Sequence, residues 1–497
     1  RAARSVGELT VASGWRARGR AEVAWSPMPS PSRSRRHPSR HPLRWPLLAV
    51  LIGTSIFGAI NAWNAWAMAP NWGQDLAFFH QIIAAAARGD AWSSPLLLEP
   101  GGFFEMVHTH LILPVVIAAY VVVPRQEVLL FAQAGFACLA LWPAWRLGEA
   151  VAGRWGGPLA ALGLAVYGPF QAVATADFRP SALLLPGVLG AVVAARERKL
   201  WPMVAWACVA NLGRQEAPYL LGSAAVALCV LPWGEGARQG WWSRLKLREG
   251  LVLGVVSALW LLFWVLVKPQ MFFHFDPLHP AAPAALSPDH LADRLGFLAR
   301  VGRSGMALAL LAPGALGGAL PVVQEMLATA REWGPLQGPA AHYHAFWLPL
   351  VSAAAIAGAG RLGWPGLLAF GVLNAWAFPW VLPRHGPVDL RQLQAHVGPE
   401  EAVAADYDTI HAFAGRAVLW NTAQLSMRAD ERPRGWTAPW PIPLKTVDVI
   451  IVRADDPWLV GGGAPGWTAR AQVDGHVLLA PLVQPDPADR RPPPAPH

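Results

Sequence analysis

Apolar segments of membrane-crossing length recur along this chain, and no other feature of the sequence restricts its fold as strongly. A spanning helix needs about 20 predominantly apolar residues. The first such run is 46–67, and others follow at 127–147, 157–175, 181–195, 200–213, 217–233, 250–268, 305–328 (readable as a broken pair), 345–360 and 364–382. The composition agrees, since 54% of residues are hydrophobic and 14% charged, against about a quarter charged in soluble domains. The 27 Trp and 47 Pro suit interfacial belts and broken helices. The expected fold is mainly α, a polytopic transmembrane bundle of about 9–11 spans over 46–383.

The basic balance points to a membrane rather than to nucleic acid. Residues 1–44 hold ten Arg against Glu8 and Glu22, and the whole chain carries +9, so the remainder is near neutral. That excess reads as a disordered basic tail, 1–45, which the positive-inside rule places in the cytoplasm. The first Met is Met28, and 1–27 reads as an over-extended reading frame or a disordered extension. Run 46–67 reads as a retained signal-anchor, being too long for a signal-peptide core.

Further basic clusters lie at Arg146 to Arg154, at Arg196, Arg198 and Lys199, at Arg238 to Arg248, and at Arg361. With all of these cytoplasmic, one span separates residue 67 from Arg146, and the run 111–123 is too short to cross. It reads as a re-entrant or interfacial helix. The loops 68–110, 176–180, 213–217, 269–304 and 329–344 then face outward and hold most of the unusual polar residues. The expected location is the bacterial cytoplasmic (inner) membrane, multi-pass, with the N-terminus cytoplasmic.

Residues 384–482 read as a small extracytoplasmic α/β domain. RQLQAH is helical, EEAVAADY, RAVLW and VDVIIVRA are strands, and ARAQVDGHVLLAPL is a hairpin turning at Asp474-Gly475. The tail 483–497 is Pro-rich and reads as disordered. Cys138, Cys208 and Cys229 lie in apolar segments without metal spacing. The Gly461–Gly463 run reads as a loop, and Lys268, His274, Asp276 and His279 fall in an aromatic outer loop that could line a lipid groove.

Five outer motifs carry candidate chemistry. In DLAFFHQ, Asp75 is either the N-cap of an interfacial helix or a carboxylate that activates an acceptor hydroxyl or holds a metal. His108 and His110, and again His342 and His344, are H-x-H pairs; in extended backbone each pair could grip one ion, or the two pairs could hold one ion together, with Asp75 or Glu105. Substrate hydrogen bonding is the competing reading, and a divalent metal ion is the cofactor these groups would hold. Asp177 with Arg179, and Arg214 with Glu216, place an acid and a base at successive boundaries. Each is either a neutralising pair or a phosphate ligand with its orienting carboxylate.

In their order and spacing these motifs resemble the bacterial and archaeal membrane proteins catalogued as domain of unknown function 2079. DLAFFHQ (75–81), HTHLILP (108–114), DFRP (177–180), RQE (214–216) and HYH (342–344) correspond to that family's elements. Arg179 stands where the family more often has His, and Arg214-Gln215 where Lys-Glu is commoner. The family is similar to GT-C glycosyltransferases. The resemblance implies a catalytic Asp75, a polyprenyl-phosphate-linked sugar donor, lipid phosphate on Arg179 and Arg214, and His110 and His344 lining the site. The competing classes are a transporter and a lipid-binding or envelope-assembly protein. Transporters favour internal repeats and mid-helix charges, whereas this chain clusters its charges at one face.

Overall fold

The computed structural model describes residues 44–66, 74–89, 109–231, 246–267, 288–312, 344–377, 390–406, 409–416, 418–422, 444–456, 459 and 465–483. The basic tail up to residue 43, the tail beyond 483, Glu105, His108, His342, Lys268, His274, Asp276, His279 and Gly461–Gly463 lie outside these residues.

Where the sequence is apolar on all sides it forms helices that bury one face against each other and leave the other to lipid. α1 (Arg44–Trp66) and the run Glu127–Ala152, made of α4 (Glu127–Cys138) and α5 (Leu141–Ala152), are long and apolar enough to cross a membrane, as is Leu247–Val267. The last of these exposes Leu251, Val255, Leu259, Leu262 and Leu266 along its length, a stripe that suits a bilayer. α6 (Gly156–Ala165) and α7 (Gly168–Ala174) pass the same test together but are bent by 71°. The single span expected over 157–175 is therefore broken, at a point where Pro169 opens the second helix.

The remaining apolar helices are shorter. They are α3 (Leu113–Val122), α8 (Leu184–Arg196, led by a 3₁₀ turn over Pro180–Leu183), α9 (Leu200–Gly213) and α10 (Ala217–Val230). After α10 come α11 (Leu247–Val267), α12 (Pro288–Arg303), α13 (His344–Gly360) and α14 (Gly363–Ala377). α12 lies in a stretch expected to be loop, and 305–311 is a 3₁₀ turn where a span was expected to begin.

Three tight connections gather the basic residues at one end of this bundle. They join α5 to α6, α8 to α9 and α13 to α14, and each has a residue with positive φ: Gly153 (74°), Arg198 (59°) and Gly363 (71°). Arg146 reaches Glu197 at 3.0 Å, and a Cβ on Gly360 would lie 2.3 Å from Val151, so the three turns are neighbours. Trp155, Trp201 and Trp364 stand exposed beside them. The opposite ends of α8 and α9 carry the DFRP and RQE motifs.

The C-terminal part is a five-stranded sheet in the order β2-β1-β3-β5-β4. β1 (Val403–Ala405) pairs in parallel with β2 (Leu419–Asn421) and β3 (Val449–Arg453). β5 (His476–Pro481) runs antiparallel to β3 and to β4 (Trp467–Val473). Asp474 (φ 44°) and Gly475 (φ 81°) form the expected two-residue hairpin turn, whose twist requires positive φ at both positions. α15 (Leu390–Ala395) covers one face with Phe413 and Ile410, and that cluster includes Ala77 of α2 (Gln74–Ala87). His411 donates from Nε2 to the Ala65 carbonyl at 2.7 Å, pinning the sheet domain to the end of α1. The chain is thus mainly α, a transmembrane bundle with a small C-terminal α/β domain.

Candidate active site

α2 carries the first motif. It begins at Gln74, so Asp75 lies inside the first turn rather than at the N-cap, where a carboxylate still interacts favourably with the helix dipole. The helix does not lie half-exposed in an interface as expected: Leu76 to Ile83 are all buried. Phe79 meets His110 on one side (ring centroids 5.4 Å) and Phe178 on another (5.3 Å). His80 Nε2 and the Tyr120 hydroxyl are 2.8 Å apart, and burial pushes the His80 ring down to about 4, so it is neutral.

Arg179 is fixed first through its backbone. Its N–H donates to Gln133 Oε1 (2.8 Å), and Gln133 Nε2 donates to the Val173 carbonyl (2.7 Å). Asn61 of α1 adds a donor to the Ala176 carbonyl at 3.1 Å. Pro180 keeps Arg179 extended. Its guanidinium then holds two carboxylates. Nε meets Asp177 Oδ1 at 2.8 Å, and Nη2 pairs with Asp75 Oδ2. Asp177 is deeply buried, and desolvation pushes its carboxyl up to about 8. The neutralising pair read from Asp177 and Arg179 is present, with Asp75 as a further member.

The second arginine loop adjoins the first. A Cβ on Gly213 would lie 2.7 Å from the Pro180 carbonyl oxygen, so only glycine allows this approach. Arg214 Nε pairs with Glu216 Oε2 at 2.8 Å, both buried, and the guanidinium sits 4.9 Å over the Phe346 ring. Gln215 Oε1 accepts from the Thr109 N–H at 2.9 Å, His110 donates from Nδ1 to the Gly213 carbonyl at 2.5 Å, and the Ile112 N–H donates to the Leu212 carbonyl at 3.0 Å. The segment before α3 is thereby stitched to the end of α9.

His344 is the first residue of α13, two positions before the Phe346 that backs Arg214. Trp347 Nε1 donates to its Nδ1 at 3.0 Å, and its ring stacks on Phe297 of α12 at 6.2 Å. His342, its partner in the H-x-H pair, lies outside the described residues. Among the described residues no three His, Cys, Asp or Glu are placed to hold a metal ion. The three described candidates, Asp75, His110 and His344, are engaged with Arg179, the Gly213 carbonyl and Trp347.

One connected network therefore joins the described parts of four motifs: Asp75 to Arg179 and Asp177, Phe79 to His110, and His110 and Thr109 to the Arg214 loop, with Phe346 behind. The reading from sequence missed Gln133, Asn61, Phe79 and Phe178. Gln133 and Asn61 sit in apolar runs, where their polarity was the signal, while Phe79 and Phe178 lie inside the DLAFFHQ and DFRP motifs beside the charged residues that drew attention.

No family model matches this chain, and no curated protein matches it in sequence. Solved structures do resemble it. ArnT from Cupriavidus metallidurans bound to undecaprenyl phosphate aligns with a TM-score of 0.54 at 13% identity, over 90% of this chain and 99% of that one. The same protein in the apo state aligns at 0.52 and 14% identity, over 88% and 97%. The Archaeoglobus fulgidus oligosaccharyltransferase in the apo form aligns at 0.40 and 13%, over 84% and 70%. The likeness to ArnT is one of fold, and it spans nearly the whole of both chains.

Proposed function

We propose that this chain is an integral membrane glycosyltransferase that transfers a sugar from a polyprenyl-phosphate donor to an extracytoplasmic acceptor. The observation that carries the reading is the convergence of Asp75 and Asp177 on Arg179, in a loop adjoining Arg214 and Glu216. A fold shared with a protein bound to undecaprenyl phosphate supports the donor class. The resemblance to the domain of unknown function 2079 family supports the same assignment. The basic turns at the far end of the bundle, cytoplasmic by the positive-inside rule, support an outward-facing site and an extracytoplasmic sheet domain.

In the proposed reaction Asp75 takes the proton of the acceptor hydroxyl as that oxygen attacks the anomeric carbon. The bond from that carbon to the donor phosphate oxygen breaks, and polyprenyl phosphate leaves with the electron pair. Phosphate is a stable leaving anion, so the site needs a base and a cation more than a general acid. Arg179 supplies the cation at the phosphate. Arg214 is covered by Phe346 and buried in its pair with Glu216, so it shapes the loop beneath. His110 orients the loop through Gly213.

The test is consumption of polyprenyl-phosphate-linked sugars by purified full-length protein, with membrane extract as the source of acceptor. Wild type should release polyprenyl phosphate, and Asp75→Asn should be slower by about 10²–10⁴, the usual worth of a positioned base. Equal rates would remove Asp75 from the mechanism, and no release by wild type would end the glycosyltransferase reading.

A further inference from the structure

Both arginines of the site are already paired with carboxylates, Arg179 with Asp75 and Asp177 and Arg214 with Glu216, which is a poor resting state for a place that receives a phosphate. The geometry shows which contact can yield. Asp177 and Arg179 share one loop, Asp177's side chain is only 7% exposed, and the Arg179 backbone is held by Gln133. Asp75 comes from a different helix, and its pair with Arg179 faces outward, with side chains 34% and 26% exposed. Glu216 and Arg214 are 6% and 8% exposed and capped by Phe346. Among the described contacts of the two arginines, the Asp75–Arg179 pair combines an anion from elsewhere in the fold with a route for a ligand.

We propose that Arg179 is a partner-exchanging latch: without donor it holds Asp75, and a lipid phosphate head group displaces Asp75 from the guanidinium, freeing it as a base. This rests on the roles given above to Asp75 and Arg179. No bond is made or broken; one anion replaces another on Nη2 while Nε stays on Asp177. The base is thus occupied until the phosphate is seated, so donor binding and base release are one event. Phosphate and Asp75 compete for one cation, and it follows that removing the catalytic carboxylate strengthens donor binding.

Binding of undecaprenyl phosphate in mixed micelles, with undecaprenol as the uncharged control, tests this on the full chain. Asp75→Asn and Asp75→Ala should bind the phosphate lipid about fivefold more tightly than wild type, the factor equivalent to about 1 kcal/mol. Asp75→Glu, which keeps the competitor, should bind as wild type does. Arg179→Ala should lose the preference for phosphate over undecaprenol, and affinity for undecaprenol should not move in any variant. If both neutral Asp75 variants bind the phosphate lipid equally or more weakly than wild type, the latch is wrong. The latch is equally wrong if Arg214→Ala, rather than Arg179→Ala, loses the preference. A wild type that binds the phosphate lipid with tightening in Asp75→Asn, yet consumes no donor, keeps the latch and removes the transferase reading. A wild type without preference for the phosphate removes both.

Discussion

Gly213 is where the two arginine loops touch, and Gly213→Ala tests whether that contact holds the site together. By helix propensity alone, alanine at the end of α9 would stabilise by about 0.5–1 kcal/mol. Sterics act the other way. The new Cβ would stand 2.7 Å from the Pro180 carbonyl oxygen and 2.7 Å from Leu183 Cβ, whereas ordinary contact begins near 3.4 Å, so the backbones must part by about 0.7 Å. Overpacking of this kind costs about 1–3 kcal/mol, which exceeds the propensity gain. The movement carries Arg214 away from Arg179, and sub-ångström misplacement at a reacting centre costs on the order of tenfold in rate or more. Thermal unfolding in detergent should show a lower midpoint, and polyprenyl-phosphate release should fall with it. Gly254→Ala is the control, since its Cβ meets only Ala225 Cβ, at 3.8 Å. A Gly213→Ala protein at least as stable as wild type and fully active would mean that these loops are not in contact, and the candidate site would come apart with them.

Three further outcomes follow from the same contacts. Gln133→Leu leaves the Val173 carbonyl and the Arg179 N–H without their shared partner, so stability should fall by about 1–3 kcal/mol and affinity for undecaprenyl phosphate should weaken; an unchanged affinity would show that Arg179 does not depend on this bracket. Phe413→Ala, in the cluster that holds Ala77, should cost about 3–5 kcal/mol locally and raise hydrogen exchange in residues 74–87; unchanged protection there would detach the sheet domain from α2. In the sheet domain, burial alone would lower the His476 ring, but the Asp406 carboxylate at 3.2 Å outweighs it and raises the group above its ordinary value. A raised histidine stabilises fully below the unfolded value of about 6.5 and loses that contribution as pH rises through the folded value, so protection factors in β3 and β5, referenced to intrinsic exchange rates, should fall as pH rises beyond about 6.5. Asn in place of His476 should flatten that dependence.

The sequence was most legible where local chemistry decides the outcome. Asp474-Gly475 is a turn because two positive φ angles admit few other residues, and the apolar run 200–213 coincides with α9. The pairing of Asp177 with Arg179 and of Arg214 with Glu216 was readable because partners two residues apart at a membrane boundary have few alternatives. What could not be read is how separate motifs meet. Asp75 reaches Arg179 because Phe79, Phe178 and Phe136 pack α2 against the loop, and a phenylalanine in an apolar stretch looks the same whether it faces lipid or a neighbour. The bend between α6 and α7 had its signal in Gly168-Pro169, outweighed by the hydrophobicity around it. α12 escaped notice because its amphipathic pattern follows an aromatic, Pro-rich stretch.

The packing of α2 against the sheet domain bears on how the protein is made. α2 ends at Ala87, but Leu390, Phe413 and Leu478, which cover it with the sheet, leave the ribosome more than three hundred residues later. At translation rates of about 5–20 residues per second, the nascent helix waits on the order of half a minute for its cover. The face of α2 at Ala77 is therefore closed late, whereas Leu76, Phe78, Phe79, Ile82 and Ile83 pack early, against α3 and α4. The helix is held in two stages, first by the bundle and then by the sheet domain, so a chain halted between them carries α2 packed on one side only.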